Sequence, residues 1–349
     1  MMKISKTYIA VPPGETIKEQ LDDRDMTQKE FAARMGYSQK HISQLINGQV
    51  RLMDDTAQRL ENVLGIPATF WLNLENNYRL ELHKVEEEND FENDKMIAKK
   101  MPYAECAKLG WVKKTRKINE KVIELRKFFR VARLSSIDDI DYQNVIYRKL
   151  GATKNSVYSK IMWIQQVQNL VELQKTEAIN IKCLEEHLET IRAMTKQSPE
   201  EYLDELDTLL KSCGIVLVLL PHLPGSFLHG ATFLDKKRII IGLTVRRKDA
   251  DIFWFSLFHE IGHIINGDVF ESTPVDEVED NADTFAADIL IPKDFYQAFV
   301  ENENFSKQSV ISFSEEIDIH TGIVVGRLQK EGHIKYSDLN DLKEQYTFA

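Results

Sequence analysis

The sequence holds only three cysteines, Cys106, Cys183 and Cys213, odd in number, widely separated and in no Cys-x-x-Cys spacing. Neither a disulfide framework nor a thiolate metal site is indicated, and buried free thiols are expected. A long apolar run is also missing. The longest aliphatic stretch, Ile215 to Leu220, is far shorter than the ~20 residues that cross a bilayer, so no membrane partner is expected. Residues 1–8 contain no apolar signal segment, and a cytoplasmic location is expected. Positive charge is in deficit as well: a net charge of −10 excludes indiscriminate binding to phosphate backbones by the whole molecule. The 43% hydrophobic and 29% charged residues are ordinary for a globular chain, and 349 residues suffice for two or three domains.

Against that background, His259-Glu260-Ile261-Gly262-His263 is the strongest chemical signal. On a helix, histidines at i and i+4 share one face, so two imidazoles can take two corners of a tetrahedron around Zn²⁺ while Glu260 points at a water beside it. The stretch from Asp249 to Phe258 starts on an acid and continues apolar, without Gly or Pro before Gly262, which predicts a buried helix. Asn266-Gly267-Asp268 predicts its end, and a second amphipathic helix is predicted from near Asp276. Zinc needs a third protein ligand. Glu279 offers one, and Asp276, Glu277, Asp280 and Asp288 are alternatives in this acidic stretch. Asp283, one turn after Glu279, is placed to accept the free N–H of a ligand histidine. The plain alternative is two partly buried histidines beside a surface glutamate.

Nearer the N-terminus, Thr27 reads as the cap of a short helix, with Glu30 at the capping-box position, Phe31 and Ala32 inward and Gly36 as the left-handed stop. A second helix is predicted from Ser38 to Ile46, ended by Asn47-Gly48. Ile42 and Leu45 would bury it, leaving Ser38, Gln39, Lys40, Ser43 and Gln44 outward as candidate DNA contacts. Lys29, Arg34, Lys40 and Arg51 against Glu30 make this segment locally basic, which suits directed contact with nucleic acid. A helical docking module with a polar face has the same periodicity.

Between these regions, Glu86 to Asp90 is a charge run, read as a solvated linker or helix end. Residues 103–210 are mainly helical by pattern. Val122, Leu125, Phe128 and Phe129 form one apolar stripe, and Val167, Leu170 and Leu173 another. Residues 214–220, 231–234 and 238–242 read as strands, the last two joined as a hairpin by Asp235, Lys236 and Lys237. A strand edge beside a zinc site can hold an extended peptide by backbone pairing. Gly230, Ala231, Thr232 and Phe233 are therefore candidate substrate-binding residues, and His229 is a candidate contact to the substrate or tetrahedral intermediate.

The segment Phe255 to His263, followed by Glu279 to Pro292, resembles the ImmA/IrrE metallopeptidases, whose signature pairs HExxH with a later E-x-x-A-N-x-F-A-A-x-L-L-M-P. The resemblance covers residues 205–340. It implies His259, His263 and Glu279 as zinc ligands and Glu260 as the catalytic base. Asp283 stands where that family has Asn, which changes the polarity of the outer contact. Residues 8–82 resemble the HigA branch of the Xre-type regulators, the antitoxins of toxin–antitoxin operons. That resemblance implies a homodimer on a palindromic operator DNA and a toxin partner.

The fold expected is α+β and mainly helical: a helix-turn-helix domain at 8–82, a helical middle region at 83–204 and a zincin-like domain at 205–349 with a small sheet and the HExxH helix. The function expected is a DNA-binding transcriptional regulator with an attached zinc endopeptidase that cleaves a regulatory protein, whether a repressor, an antitoxin or itself. The alternative is a non-catalytic antitoxin or repressor whose zinc domain senses metal or a partner.

Overall fold

The structure of the protein, a computed structural model, describes residues 2–140, 157–245, 249–270 and 275–346, with backbone alone at 139, 245 and 275–277. The chain divides into two compact units, Met1–Lys99 and Lys100–Ala349.

The first unit opens on a small antiparallel ribbon, β1 (Lys3–Ile4) and β2 (Ile9–Ala10). Helices α1 (Pro13–Asp22), α2 (Gln28–Met35), α3 (Gln39–Ile46), α4 (Asp54–Leu64) and α5 (Ala68–Ala98) follow. The Thr27 hydroxyl accepts from the Glu30 N–H at 3.2 Å to cap α2, and Gly36 ends that helix with φ 68°. Glu30 does not complete a capping box; its carboxylate turns to Arg34, 2.7 Å away. Ile17, Phe31, Ile42, Leu60 and Trp71 are fully buried and make the core, each contributing about 1.5–3 kcal/mol relative to exposure.

The charge run at Glu86 to Asp90 is neither linker nor helix end. It lies inside the 31-residue α5. Glu favours helix, and Glu88 accepts from the Thr7 N–H at 2.9 Å and the Thr7 hydroxyl at 2.7 Å, tying the ribbon to α5.

The second unit begins with α6 (Tyr103–Lys108), α7 (Ile118–Phe129), α8 (Val157–Val171), α9 (Ile181–Ala193) and α10 (Pro199–Ser212). A three-stranded sheet follows, made of β3 (Ile215–Pro221), β4 (Gly230–Asp235) and β5 (Arg238–Val245). Its order is β3-β5-β4, with β3 parallel and β4 antiparallel to β5, so β4 is an edge strand. Alternation sets its two faces. Ile239, Ile241 and Leu243 enter the main core with Leu257 and Ile261, whereas Gly242 faces Trp163 of α8. Helices α11 (Ala250–Ile265), α12 (Val275–Leu290), α13 (Lys293–Glu301), α14 (Lys307–Glu316) and α15 (Thr321–Glu331) complete the unit.

Two expectations for this unit are corrected. Val122, Leu125, Phe128 and Phe129 are buried, but of the second stripe only Val167 is; Leu170 is 46% and Leu173 90% exposed. Helix α8 ends at Val171 and buries the face that carries Met162, Trp163, Ile164 and Val167, which leaves Leu173 beyond its end. The cysteines are also not all free. Cys106 is a buried thiol, pushed up to about 12 by desolvation. Cys183 and Cys213, 30 residues apart in sequence, form a disulfide with Cα atoms 5.5 Å apart, because the fold lays the first turn of α9 against the end of α10. Among the described residues, no helix is long and apolar enough to cross a membrane.

Candidate functional site

Helix α11 runs through the HExxH pentad without a break and stops at Asn266, with Gly267 at φ 82°. His259 and His263 therefore stand one turn apart on one face, with their rings at 89°. Helix α12 crosses closely at Gly262, where an added Cβ would lie 3.2 Å from the Ala282 Cα. The close crossing brings Glu279 opposite both imidazoles: its carboxylate oxygens lie 3.2 Å from His259 Nε2 and 3.5 Å from His263 Nε2. The two Nε2 atoms are 3.1 Å apart.

Each histidine is oriented from its other nitrogen. His259 Nδ1 donates to Asp283 at 2.8 Å, and His263 Nδ1 donates to Asp268 at 2.9 Å. Both Nε2 atoms are thereby aimed at one point together with Glu279. The three separations match the edge of a tetrahedron, about 3.3 Å for metal–nitrogen bonds of ~2.0–2.1 Å. The electrostatics agree with that donor set. Burial opposes a charge on His259, but hydrogen bonds with Asp283 and Glu279 and the charges of Glu260 and Glu279 push it up to about 10, so the locus attracts positive charge. The bond from His259 holds the Asp283 carboxyl well below the usual carboxylate range, and Lys330, 3.0 Å away, adds to this. His259, His263 and Glu279 are thus a donor set that fits a zinc ion.

Glu260 is 5% exposed and lies outside that donor set. The Thr232 hydroxyl donates to its Oε2 at 2.5 Å, while its Oε1 packs against Gly230, where an added Cβ would come within 2.5 Å. Only glycine leaves room for the carboxylate there. A cavity of about 650 Å³ opens over these groups, lined among others by His229, Gly230, Ala231, Phe255 and Glu260.

The positions named from sequence divide accordingly. His229, Gly230 and Ala231 line the cavity, but the Thr232 and Phe233 side chains are buried, and Thr232 serves Glu260. Of the alternative ligands, Asp280 is exposed, Asp288 lines the cavity outside the donor cluster, and the side chains of Asp276 and Glu277 lie outside the described residues. Four further residues shape the site. Asp268, directly after the Asn266-Gly267 stop, is near enough in sequence to His263 for local spacing to suggest the pair. Lys330 pairs with Asp283 from 47 positions away, which no local pattern encodes. Arg192 and Arg327 hold the last turn of α12 through its carbonyls: Arg192 reaches Ile289 O at 3.0 Å and Leu290 O at 3.1 Å, and Arg327 reaches Ala287 O at 2.9 Å.

In the first unit, α2 and α3 form the expected helix pair. Ser38 caps α3, its hydroxyl accepting from the His41 N–H at 3.1 Å. Ser38, Gln39, Lys40 and Ser43 are exposed along one side of α3 and Gln44 is half-buried, while Ile42 and Leu45 face the core.

Comparison with known proteins agrees with both units. Residues 17–71 match the helix-turn-helix family model, and residues 223–317 match that of the IrrE N-terminal-like domain of peptidase family M78. The chain is 35% identical over 68 residues to the uncharacterized HTH-type transcriptional regulator YddM of Escherichia coli (strain K12), a span of 20% of this chain and 72% of that protein. A solved addiction module antidote protein of a HigA family from Coxiella burnetii is 27% identical, with 24% of this chain and 92% of that one covered and a TM-score of 0.22. The chain belongs to the helix-turn-helix transcriptional regulators and carries, C-terminal to its DNA-binding domain, an IrrE-like domain of peptidase family M78.

Proposed function

We propose that this regulator is also a zinc-dependent endopeptidase, which binds operator DNA with its first unit and hydrolyses a regulatory protein with its second. The place of Glu260 carries the reading. A buried carboxylate that stays out of the ligand set, held by Thr232 at the wall of a cavity, is what a hydrolase needs and a metal sensor does not.

His259, His263 and Glu279 would hold the ion. Bound zinc supplies Lewis acidity toward a peptide carbonyl and lowers the pKa of an adjacent water. Glu260 takes the proton from that water and returns it to the leaving amine. Thr232 fixes one carboxylate oxygen, so the other is oriented for the transfer. The outer edge of β4 lies beside the cavity, and the backbone of residues 230–233 pairs with an extended substrate there, with His229 at its start. The substrate class is a repressor, an antitoxin or this chain itself. Ser38, Gln39, Lys40, Ser43 and Gln44 meet DNA, in a homodimer on a two-fold operator, and a toxin partner completes the assembly.

Glu260→Gln tests the reading, because the amide is nearly isosteric but cannot accept the proton. The variant should keep zinc, fold and DNA binding and lose cleavage of the natural target. Native levels of target loss in cells carrying Glu260→Gln would leave a metal- or partner-sensing regulator instead.

A further inference from the structure

Cys183, His187 and Cys213 converge away from the site just described and independently of it. Cys183 lies in the first turn of α9, where the Asn180 side chain accepts its N–H at 3.1 Å. His187 follows one turn later on the same face, its Nδ1 4.0 Å from Cys183 Sγ and hydrogen-bonded to the Cys183 carbonyl at 2.7 Å. Cys213 stands at the end of α10, immediately before Gly214 and β3. The Ser212 hydroxyl lies 3.9 Å from one sulfur and 3.8 Å from the other. One donor atom from each of the two cysteines and the histidine lies within 4.8 Å of the others.

The two segments do not depend on the sulfurs for their approach. The Asn180 N–H donates to the Cys213 carbonyl at 3.0 Å, and the Glu177 N–H donates to the Lys211 carbonyl at 3.1 Å. Leu184, Leu209, Leu210 and Cys213 are buried in one core cluster around this junction. Breaking the disulfide therefore leaves two thiols facing each other with an imidazole beside them.

We propose that, when the disulfide is reduced, Cys183, Cys213 and His187 form a second metal site that takes a thiophilic divalent ion of the zinc type. A thiol reductant supplies the two electrons: its own two thiols become one disulfide, and Cys183 and Cys213 each gain a proton. Uptake of the ion then releases both thiol protons, and the neutral His187 ring shifts its proton from Nδ1 to Nε2, so that Nδ1 exchanges the Cys183 carbonyl for the ion. Two thiolates and one imidazole are a soft donor set suited to Zn²⁺ and distinct from the all-nitrogen-and-oxygen set at the HExxH helix. Oxidation and ion binding are then mutually exclusive at one pair of sulfurs.

Co²⁺ is the probe, because a near-ultraviolet thiolate-to-cobalt band comes only from sulfur ligation and is silent for the HExxH donors. The full chain, reduced, freed of reductant by gel filtration under argon and titrated with Co²⁺, should develop the band and lose it on addition of Zn²⁺. The unreduced chain should show none. Cys183→Ser and Cys213→Ser should each abolish the band, and His187→Ala should shift the titration to higher cobalt. A folded, reduced chain that shows no band, and whose three thiols are counted after denaturation, overturns the proposal, as does a titration unchanged by His187→Ala. Unfolding on mild reduction, read by circular dichroism, also overturns it, since the pair would then be a structural disulfide alone.

Discussion

The Thr232 hydroxyl donates to Glu260 Oε2 across 2.5 Å, linking the edge strand of the sheet to the helix that carries both candidate zinc histidines. Thr232→Val keeps the shape and removes this donor. Turnover of the natural target should fall about 10- to 100-fold, matching the roughly 1.5–3 kcal/mol of a hydrogen bond to a charged group, with zinc content and melting temperature preserved. Gly230→Ala should cost more, because its Cβ collides with the other carboxylate oxygen. Native turnover by Thr232→Val would show that the hydroxyl does not position Glu260.

Zinc retention separates the ligands from their neighbours. Glu279→Ala and His263→Ala should lose the ion, and Asp280→Ala, on an exposed neighbour, should keep it. Asp268→Asn and Asp283→Asn should retain the site with affinity weakened ~10–100-fold, as the orienting hydrogen bonds change character. Chelator competition with elemental analysis reads all five. Zinc loss in Asp280→Ala with retention in Glu279→Ala would reverse the assignment.

Stability should depend on pH with opposite signs in the two metal states. His259 is raised from 6.5 to about 10 in the ion-free chain. Its contribution is fully present below about pH 6.5 and is lost as pH climbs through about 10, so the ion-free protein should melt progressively lower across that window. Zinc competes with the same proton, so the stabilisation it brings should grow with pH instead. Melting curves with and without chelator test both slopes. Asp283→Asn, which weakens the hold on the proton, should flatten the ion-free slope; an unchanged slope would assign it to other groups.

On the DNA side, binding to the chain's own promoter should weaken with salt, and Gln39→Ala should relax sequence preference by roughly 1–3 kcal/mol if it makes a bidentate base contact. Gel shifts across salt and operator variants measure both. Binding unaffected by combined substitution of Gln39, Lys40 and Gln44 would remove α3 from recognition.

Local features of this protein were readable because their causes are local. The pentad histidines, the Thr27 cap and the Gly36 and Gly267 stops are fixed by residues within a turn of each other, and the structure has them where the pattern puts them. Glu279 depends on a helix crossing that spacing alone does not reveal, so by sequence it is one of several acids, and the passage of α12 at Gly262 sets it opposite the imidazoles. The disulfide, the Arg192 clamp and the Lys330–Asp283 pair join residues 30, 97 and 47 positions apart, and no periodicity carries such distances. Leu173 misled for the opposite reason: its spacing continued a helical stripe past the point where the helix ends.

The arginine grip on α12 has a thermodynamic corollary. Arg192 and Arg327 fasten the last turn of that helix through its carbonyls, and the close crossing at Gly262 sets Glu279 opposite the histidines. Uptake at the HExxH locus should then proceed without coupled folding. Occupancy should follow a simple hyperbola in free zinc, adding RT ln(1 + [Zn]/Kd) to stability, and the locus should fill and empty with zinc supply while the polypeptide stays intact.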